Sequence, residues 1–206
     1  MNAVRVKICG ITRAEDALAA VRFGADAIGF NFFPGSKRYC PPPQARRILS
    51  ALPPFVTSVG VFVNARSEEL AAAVRESGIS VAQLHGDERP EDCAAAGVPV
   101  IKALRVDGPE AVARARDFEV SAVLLDAPSS SFGGSGARFD WSLARELAAR
   151  RSVILAGGLT PENVGDAIRA VRPYAVDVAS GVEDAPGIKS AERMRRFIQA
   201  AKEVAS

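Results

Sequence analysis

The feature that most constrains this chain is a repeat. A short apolar run rich in β-branched and aliphatic residues is followed by a stretch with helical spacing, about eight times at roughly 20 to 30 residue intervals. Parallel strands need a crossover of a dozen residues or more, usually a helix, so this alternation points to a parallel sheet. The runs fall at Arg5–Cys9, Ala27–Phe30, Thr57–Phe62, Val81–Leu84, Val100–Ala103, Ala122–Leu125, Val153–Ala156 and Ala175–Val178. Their Val, Ile and Leu content suits strands covered by helices. Eight units in 206 residues give about 26 residues each, near the lower limit for a closed (β/α)8 barrel, so short loops are expected. An open doubly wound sheet competes, but no G-x-G-x-x-G follows the first run and no second domain completes a dinucleotide site. The expected fold is an α/β TIM barrel of eight parallel strands, a single domain over residues 1–206.

Helix starts carry their own signals. Thr12 followed by Glu15 has capping-box spacing, and Thr160-Pro161-Glu162 sets an N-cap hydroxyl before a proline at the first helical position. Further helices are expected over 43–51, 68–77, 90–96, 109–117, 142–149 and 191–204, several closing at glycine or proline.

Charge narrows the partners. Twenty-six basic and 24 acidic residues leave a net charge of +2, too little to hold nucleic acid or an anionic membrane, so any anionic ligand must be held locally. Arg5, Lys7, Arg13, Glu15 and Asp16 interrupt any signal-peptide core and no run is long enough for a bilayer, so a cytoplasmic location is expected. Cys9, Cys40 and Cys93 show neither CxxC spacing nor an even count, and His85 is the single histidine. Both facts argue against a disulfide framework and against a metal site.

Candidate chemistry sits at the strand ends, where barrels collect their catalytic groups. The first run ends in the thiol of Cys9 and the sixth leads into the carboxyl of Asp126, a potential base and a potential acid. Cys9 alone reads as a small buried hydrophobe; the pairing with Asp126 is what suggests proton transfer. Gly157 and Gly158 follow the seventh run, and Ser180 and Gly181 follow the eighth. Backbone N–H groups in those two loops commonly converge on a phosphate, and glycine lets the backbone approach without a Cβ clash. Residues 31–43 combine Phe32, Phe33 and Tyr39 with Lys37 and Arg38. Such a loop could stack an aromatic substrate and pair its carboxylate with the Arg38 fork, or be a solvated basic loop. Residues 127–139, with Gly133 and Gly134, have the composition of a lid and equally of a surface loop. His85 ends the fourth run and could hydrogen-bond within the site or be structural; Lys7 points into the barrel or its mouth.

Taken in order, Lys7-Ile-Cys9-Gly-Ile-Thr12, Gly29-Phe30, Ser36-Lys-Arg38-Tyr39, Gly60-Val-Phe62, Gln83-Leu-His85-Gly86, Leu125-Asp126, Gly133-Gly-Ser-Gly136, Ala156-Gly-Gly-Leu159 and Asp177-Val-Ala-Ser-Gly-Val-Glu183 resemble the phosphoribosylanthranilate isomerase family over nearly the whole chain. The resemblance implies an Amadori rearrangement in tryptophan biosynthesis, with no cofactor and no metal. It implies Asp126 as general acid and Cys9 as general base. It also implies Arg38 on the anthranilate carboxylate, and the backbone at Gly157, Gly158, Ser180 and Gly181, helped by Gly134, on the phosphate. His85 is expected among the substrate-binding residues. The partner is then a small anionic substrate, with no nucleic acid or membrane, and the chain a monomer or homodimer.

An unshifted thiol is only a few per cent thiolate at pH 7, a deficit of about 2 kcal/mol that Lys7 or the helix start at Thr12 is expected to reduce. An unshifted aspartic acid is protonated about once in a thousand molecules, a deficit of roughly 4 kcal/mol, so the acid needs desolvation or a neighbouring anion, which the substrate brings. Competing readings are the histidine-pathway sugar isomerase, indole-glycerol-phosphate synthase and a non-catalytic phosphosugar-binding module. The two enzymes are expected to use an aspartate base or a lysine acid where this chain has Cys9, and the module needs neither Cys9 nor Asp126.

Overall fold

The computed structural model describes residues 4–106, 108–126 and 141–204. Eight parallel strands close into a barrel in chain order: β1 Arg5–Cys9, β2 Ala27–Asn31, β3 Thr57–Phe62, β4 Val81–Leu84, β5 Val100–Arg105, β6 Ala122–Asp126, β7 Val153–Ala156 and β8 Ala175–Val178. β8 pairs back onto β1, with Lys7 opposite Asp177. Five strands have the bounds that the apolar runs predict. β2, β5 and β6 run one or two residues further, because ladder pairing continues past the apolar stretch to Asn31↔Val61 and Arg105↔Asp126.

The helices are α1 Ala14–Arg22, α2 Pro42–Leu49, α3 Ser67–Ser77, α4 Pro90–Ala94, α5 Pro109–Arg114, α6 Trp141–Ala148, α7 Val164–Val171 and α8 Ala191–Glu203. Alternation along each strand splits its side chains between two layers. Val59, Ile101, Ala103, Ala122, Leu124, Ile154, Ala156 and Ala175 pack together inside the barrel. Ile8, Ile28, Phe30, Leu125 and Leu155 face outward and join Met194 and Phe197 of α8 in the helix-facing core. None of the helices among the described residues is long and apolar enough to cross a membrane.

The capping box expected at Thr12 does not form. The helix begins at Ala14 after Arg13, and the Thr12 hydroxyl instead donates to the Gly187 carbonyl at 2.6 Å. The hydroxyl is turned toward a tertiary acceptor and does not accept from the first turn of the helix. At Thr160 the cap forms with a different partner: the hydroxyl accepts from Glu162 N at 3.3 Å while the Asn163 carboxamide accepts from Thr160 N at 2.8 Å. A short turn over 161–163 therefore precedes α7. After β8 comes a 3₁₀ turn, Ser180–Val182, and then a hairpin that the sequence reading does not anticipate, β9 Glu183–Ala185 with β10 Ile188–Lys189.

Candidate active site

Cys9 is the last residue of β1 and lies on the same strand face as Lys7, two residues earlier. Lys7 is buried inside the barrel, 3% exposed, and its ammonium meets Asp177 Oδ1 of β8 at 2.9 Å. That resolves the choice between interior and mouth. Across the β1–β2 pairing Cys9 stands beside Gly29. A Cβ there would lie 2.9 Å from Cys9 Sγ and 3.0 Å from Lys7 Cε, so the glycine makes the room that both side chains occupy.

Burial pushes the Cys9 thiol above its ordinary pKa; Lys7, and more weakly Lys189, pull it down, while Asp177 adds to the rise. The expected lowering by Lys7 is present but smaller than the desolvation it opposes. Burial also works against the Lys7 charge, yet the Asp177 carboxylate and Cys9 together outweigh it and the ammonium is held more firmly than usual.

Arg38 arrives from the loop between β2 and α2. Its Nε and Nη2 donate to the two oxygens of Glu183 at 2.8 and 2.6 Å, a bidentate pair. Glu183 also accepts from Lys189 Nζ at 2.8 Å and from Gly187 N at 3.2 Å. Burial alone would raise the Glu183 pKa, but Arg38 and Lys189 hold it below the usual carboxylate range. The side edge of the guanidinium is thus committed to the protein, leaving its end edge as the one with the geometry to face a ligand. In the same loop Phe32 is buried edge-on against Phe62, ring centroids 5.3 Å apart, and belongs to the core; Phe33 and Tyr39 are exposed.

Asp126, the last residue of β6, is partly open to solvent. Its Oδ2 lies 3.2 Å from Nε2 of His85, just beyond β4, and His85 Nδ1 lies 3.0 Å from the carboxamide nitrogen of Gln83. His85 is one side of a cavity of about 680 Å³ bordered by Asn64, Glu88, Lys102 and Arg105. The backbone around it is pinned from below. Buried Lys102 donates to the carbonyls of Leu84 and Gly86 and to Glu88, at 3.4, 2.7 and 2.7 Å, and Glu88 accepts from Gly86 N and Asn64 N.

Gly157 and Gly158 both adopt positive φ, 84° and 59°, a turn that other residues make only under strain. A Cβ on Gly181 would overlap the Leu159 carbonyl oxygen, so the loops after β7 and β8 are in direct contact. Exposed Ser180 stands beside them. Gly134 and the rest of the 127–139 stretch lie outside the described residues.

The strand ends therefore bring Cys9 and Asp126 to one end of the barrel, with His85 joined to Asp126 and the two glycine loops in contact. Sequence reasoning missed Asp177, Glu183, Lys189 and Gln83. Gln83 was findable, since two residues before His85 on a strand is the same face. The partners of Lys7 and Arg38 lie 170 and 145 residues away, and no local pattern marks them.

Fold and site together define a (β/α)8-barrel protein of the kind that keeps its working groups at the C-terminal ends of the strands. The model of the N-(5'-phosphoribosyl)anthranilate (PRA) isomerase family matches residues 6–200, and the chain belongs to that family. It is 53% identical to the N-(5'-phosphoribosyl)anthranilate isomerase of Myxococcus xanthus over 98% of this chain and 97% of that one. Among solved structures, the phosphoribosyl anthranilate isomerase of Thermotoga maritima superposes with a TM-score of 0.89 at 49% identity, covering 97% and 99% of the two chains. A phosphoribosyl anthranilate isomerase in complex with reduced 1-(o-carboxyphenylamino)-1-deoxyribulose 5-phosphate gives 0.87 at 47% identity, over 97% and 99%.

Proposed function

We propose that this chain converts N-(5-phosphoribosyl)anthranilate to 1-(2-carboxyphenylamino)-1-deoxyribulose 5-phosphate, the isomerase step of tryptophan biosynthesis. The observation that carries this reading is a thiol and a carboxyl group at the ends of β1 and β6 in a barrel of the PRA isomerase family. The ligand held by one of the relatives is a reduced form of the same product.

Asp126 is assigned the general acid. It gives its proton to the furanose ring oxygen, the C1′–O bond breaks, and the anthranilate nitrogen supplies the electron pair that forms a protonated Schiff base. That iminium acidifies the C2′ hydrogen, Cys9 takes it as thiolate, and the C–H electrons become the double bond of an enolamine that tautomerises to the ketone. Lys7 and Lys189 favour the thiolate in a site whose burial disfavours it. The end edge of the Arg38 guanidinium takes the anthranilate carboxylate while Glu183 holds the side edge. The backbone at Gly157, Gly158, Ser180 and Gly181 receives the phosphate, with Gly134 assigned by resemblance alone.

We place the enzyme in the cytoplasm and favour a homodimer over a monomer. A Thermotoga maritima relative is described as dimeric, and at the N-terminal end of this barrel Phe55 stands fully exposed at a φ of 70°, an apolar residue that a second copy would cover.

The test follows loss of substrate fluorescence, with the substrate made in situ. Wild type should clear it rapidly. Cys9→Ala and Asp126→Asn should each lower kcat by about 10²- to 10⁴-fold while still binding the reduced product analogue. Decay no faster than spontaneous hydrolysis in wild type would overturn the function, and full turnover in either variant would remove that residue from its role.

A further inference from the structure

We propose that Gln83 is a positioning residue for the acid. Its carboxamide fixes His85 as the Nε2–H tautomer, which holds Oδ2 of Asp126 and leaves Oδ1 as the oxygen that carries the proton. This rests on the assignment of Asp126 as general acid.

Gln83 lies on the inner face of β4, and His85 follows two residues later, one past the strand's end and on the same side. The Gln83 –NH2 donates to Nδ1 at 3.0 Å, so that nitrogen must keep its lone pair, and the one hydrogen of a neutral imidazole sits on Nε2. From there it faces Oδ2 of Asp126 at 3.2 Å. The hydrogen bond stops the carboxyl group from rotating to bring Oδ2 to the substrate.

Apart from Gln83, among the described residues only Asp126 bears on the tautomer: as a carboxylate it accepts from Nε2–H, but as the protonated acid its Oδ2 could donate to Nε2 instead. His85 N donates to the Phe62 carbonyl at 2.8 Å, and the buried Lys102–Glu88 pair grips the backbone on both sides. Position is set by these contacts, and Gln83 keeps the proton on Nε2 when Asp126 is itself protonated.

A second observation makes the functional reading stronger than a packing one. Gln83 is 1% exposed and its Oε1 has no hydrogen-bond partner among the described residues. Half of a buried amide is unsatisfied, a cost that methionine, similar in length and apolar, would avoid. Packing alone gains nothing from an amide here; the hydrogen given to Nδ1 is what the amide adds.

The chain has one histidine, so a tag-free sample labelled with 15N-histidine reports one imidazole, and long-range 1H–15N correlation reads its tautomer directly. Wild type near neutral pH should show Nε2–H. In Gln83→Met only the Asp126 carboxylate holds the tautomer, so the imidazole should become a mixture as pH is lowered and that carboxyl group takes up its proton, where wild type keeps Nε2–H. The melting temperature should hold or rise, KM should stay within about twofold, and kcat should fall about 10- to 100-fold, the range for lost second-layer partners. A wild-type imidazole protonated on Nδ1 overturns the proposal without any variant. So does a Gln83→Met enzyme that keeps both tautomer and kcat, or one whose activity falls only in step with lost stability. Absence of wild-type turnover would sink the isomerase reading instead, and the tautomer would still be judged on its own spectrum.

Discussion

At the scale of single residues desolvation decides at Cys9, while partner charges decide at Lys7 and Glu183. Cys9 has cations around it, Lys7 and Lys189, yet the thiol is pushed up because removing a thiolate from water costs more than those partly neutralised charges return. Lys7 is already paired with Asp177 and Lys189 with Glu183. The sign follows: in the free protein less of Cys9 is thiolate at neutral pH than in free cysteine. Alkylation of Cys9 by iodoacetamide, followed by mass spectrometry of its peptide, should be slower than that of a free thiol at pH 7. It should rise with pH to a midpoint above the ordinary value. A midpoint at or below that of free cysteine would contradict the burial argument. Because the same residue is to act as base, kcat/KM should climb over the alkaline side of neutrality. The sequence made both Cys9 and Asp126 visible, as polar endings to apolar runs. It could not show which effect wins at Cys9, since that balance depends on side chains from β8 and the following hairpin.

Elements explain why the strands were so readable and some of the rest was not. A strand buried on both faces is an uninterrupted apolar run, so its limits appear in the sequence almost to the residue. Caps are weaker signals, because a threonine hydroxyl will serve whichever acceptor the tertiary fold offers; at Thr12 that is Gly187, 175 residues away. The β9–β10 hairpin is three residues against two, too short for any periodicity, although it carries the carboxylate that orients Arg38. The contact between the loops after β7 and β8 was anticipated only through its glycines. Gly181→Ala should force these loops apart, since its Cβ would overlap the Leu159 carbonyl oxygen. We expect a stability loss on the order of 1–3 kcal/mol, typical of overpacking, from urea unfolding. The affinity for inorganic phosphate, read by calorimetry, should fall several-fold, and equal affinity in variant and wild type would take Gly181 out of the phosphate site.

For the whole molecule, acid stability is set where distant parts of the chain are clasped by carboxylates. Asp26 accepts from Arg5 of β1 at 2.8 Å and from Lys202 of α8 at 2.6 Å, and Lys202 also donates to the Val4 carbonyl. Burial opposes its ionisation, but those bonds hold the Asp26 pKa below normal, as Arg38 and Lys189 do for Glu183. Both carboxylates are therefore stronger acids folded than unfolded. Their contribution is complete above the unfolded values, about 4 for either type, and is lost as pH falls through the lower folded values. Urea midpoints should stay flat with respect to these two groups from pH 7 to about 5, then drop steeply below 4. In Asp26→Asn the drop should be shallower, and an unchanged acid limb would show that the clasp does not govern it.

The seam between β1 and β8 also has a meaning in time. β1, which carries the thiol, is made before the other seven barrel strands, yet one of its edges is satisfied only by residues 175–178. Until β8 has been made, Val6 and Ile8 sit on a strand whose N–H and C=O groups on that side are open to any passing chain. The molecule completes its site and closes its most association-prone edge in a single late event. Synthesis arrested ahead of β8 would leave that edge of β1 unpaired, however well the earlier units had folded.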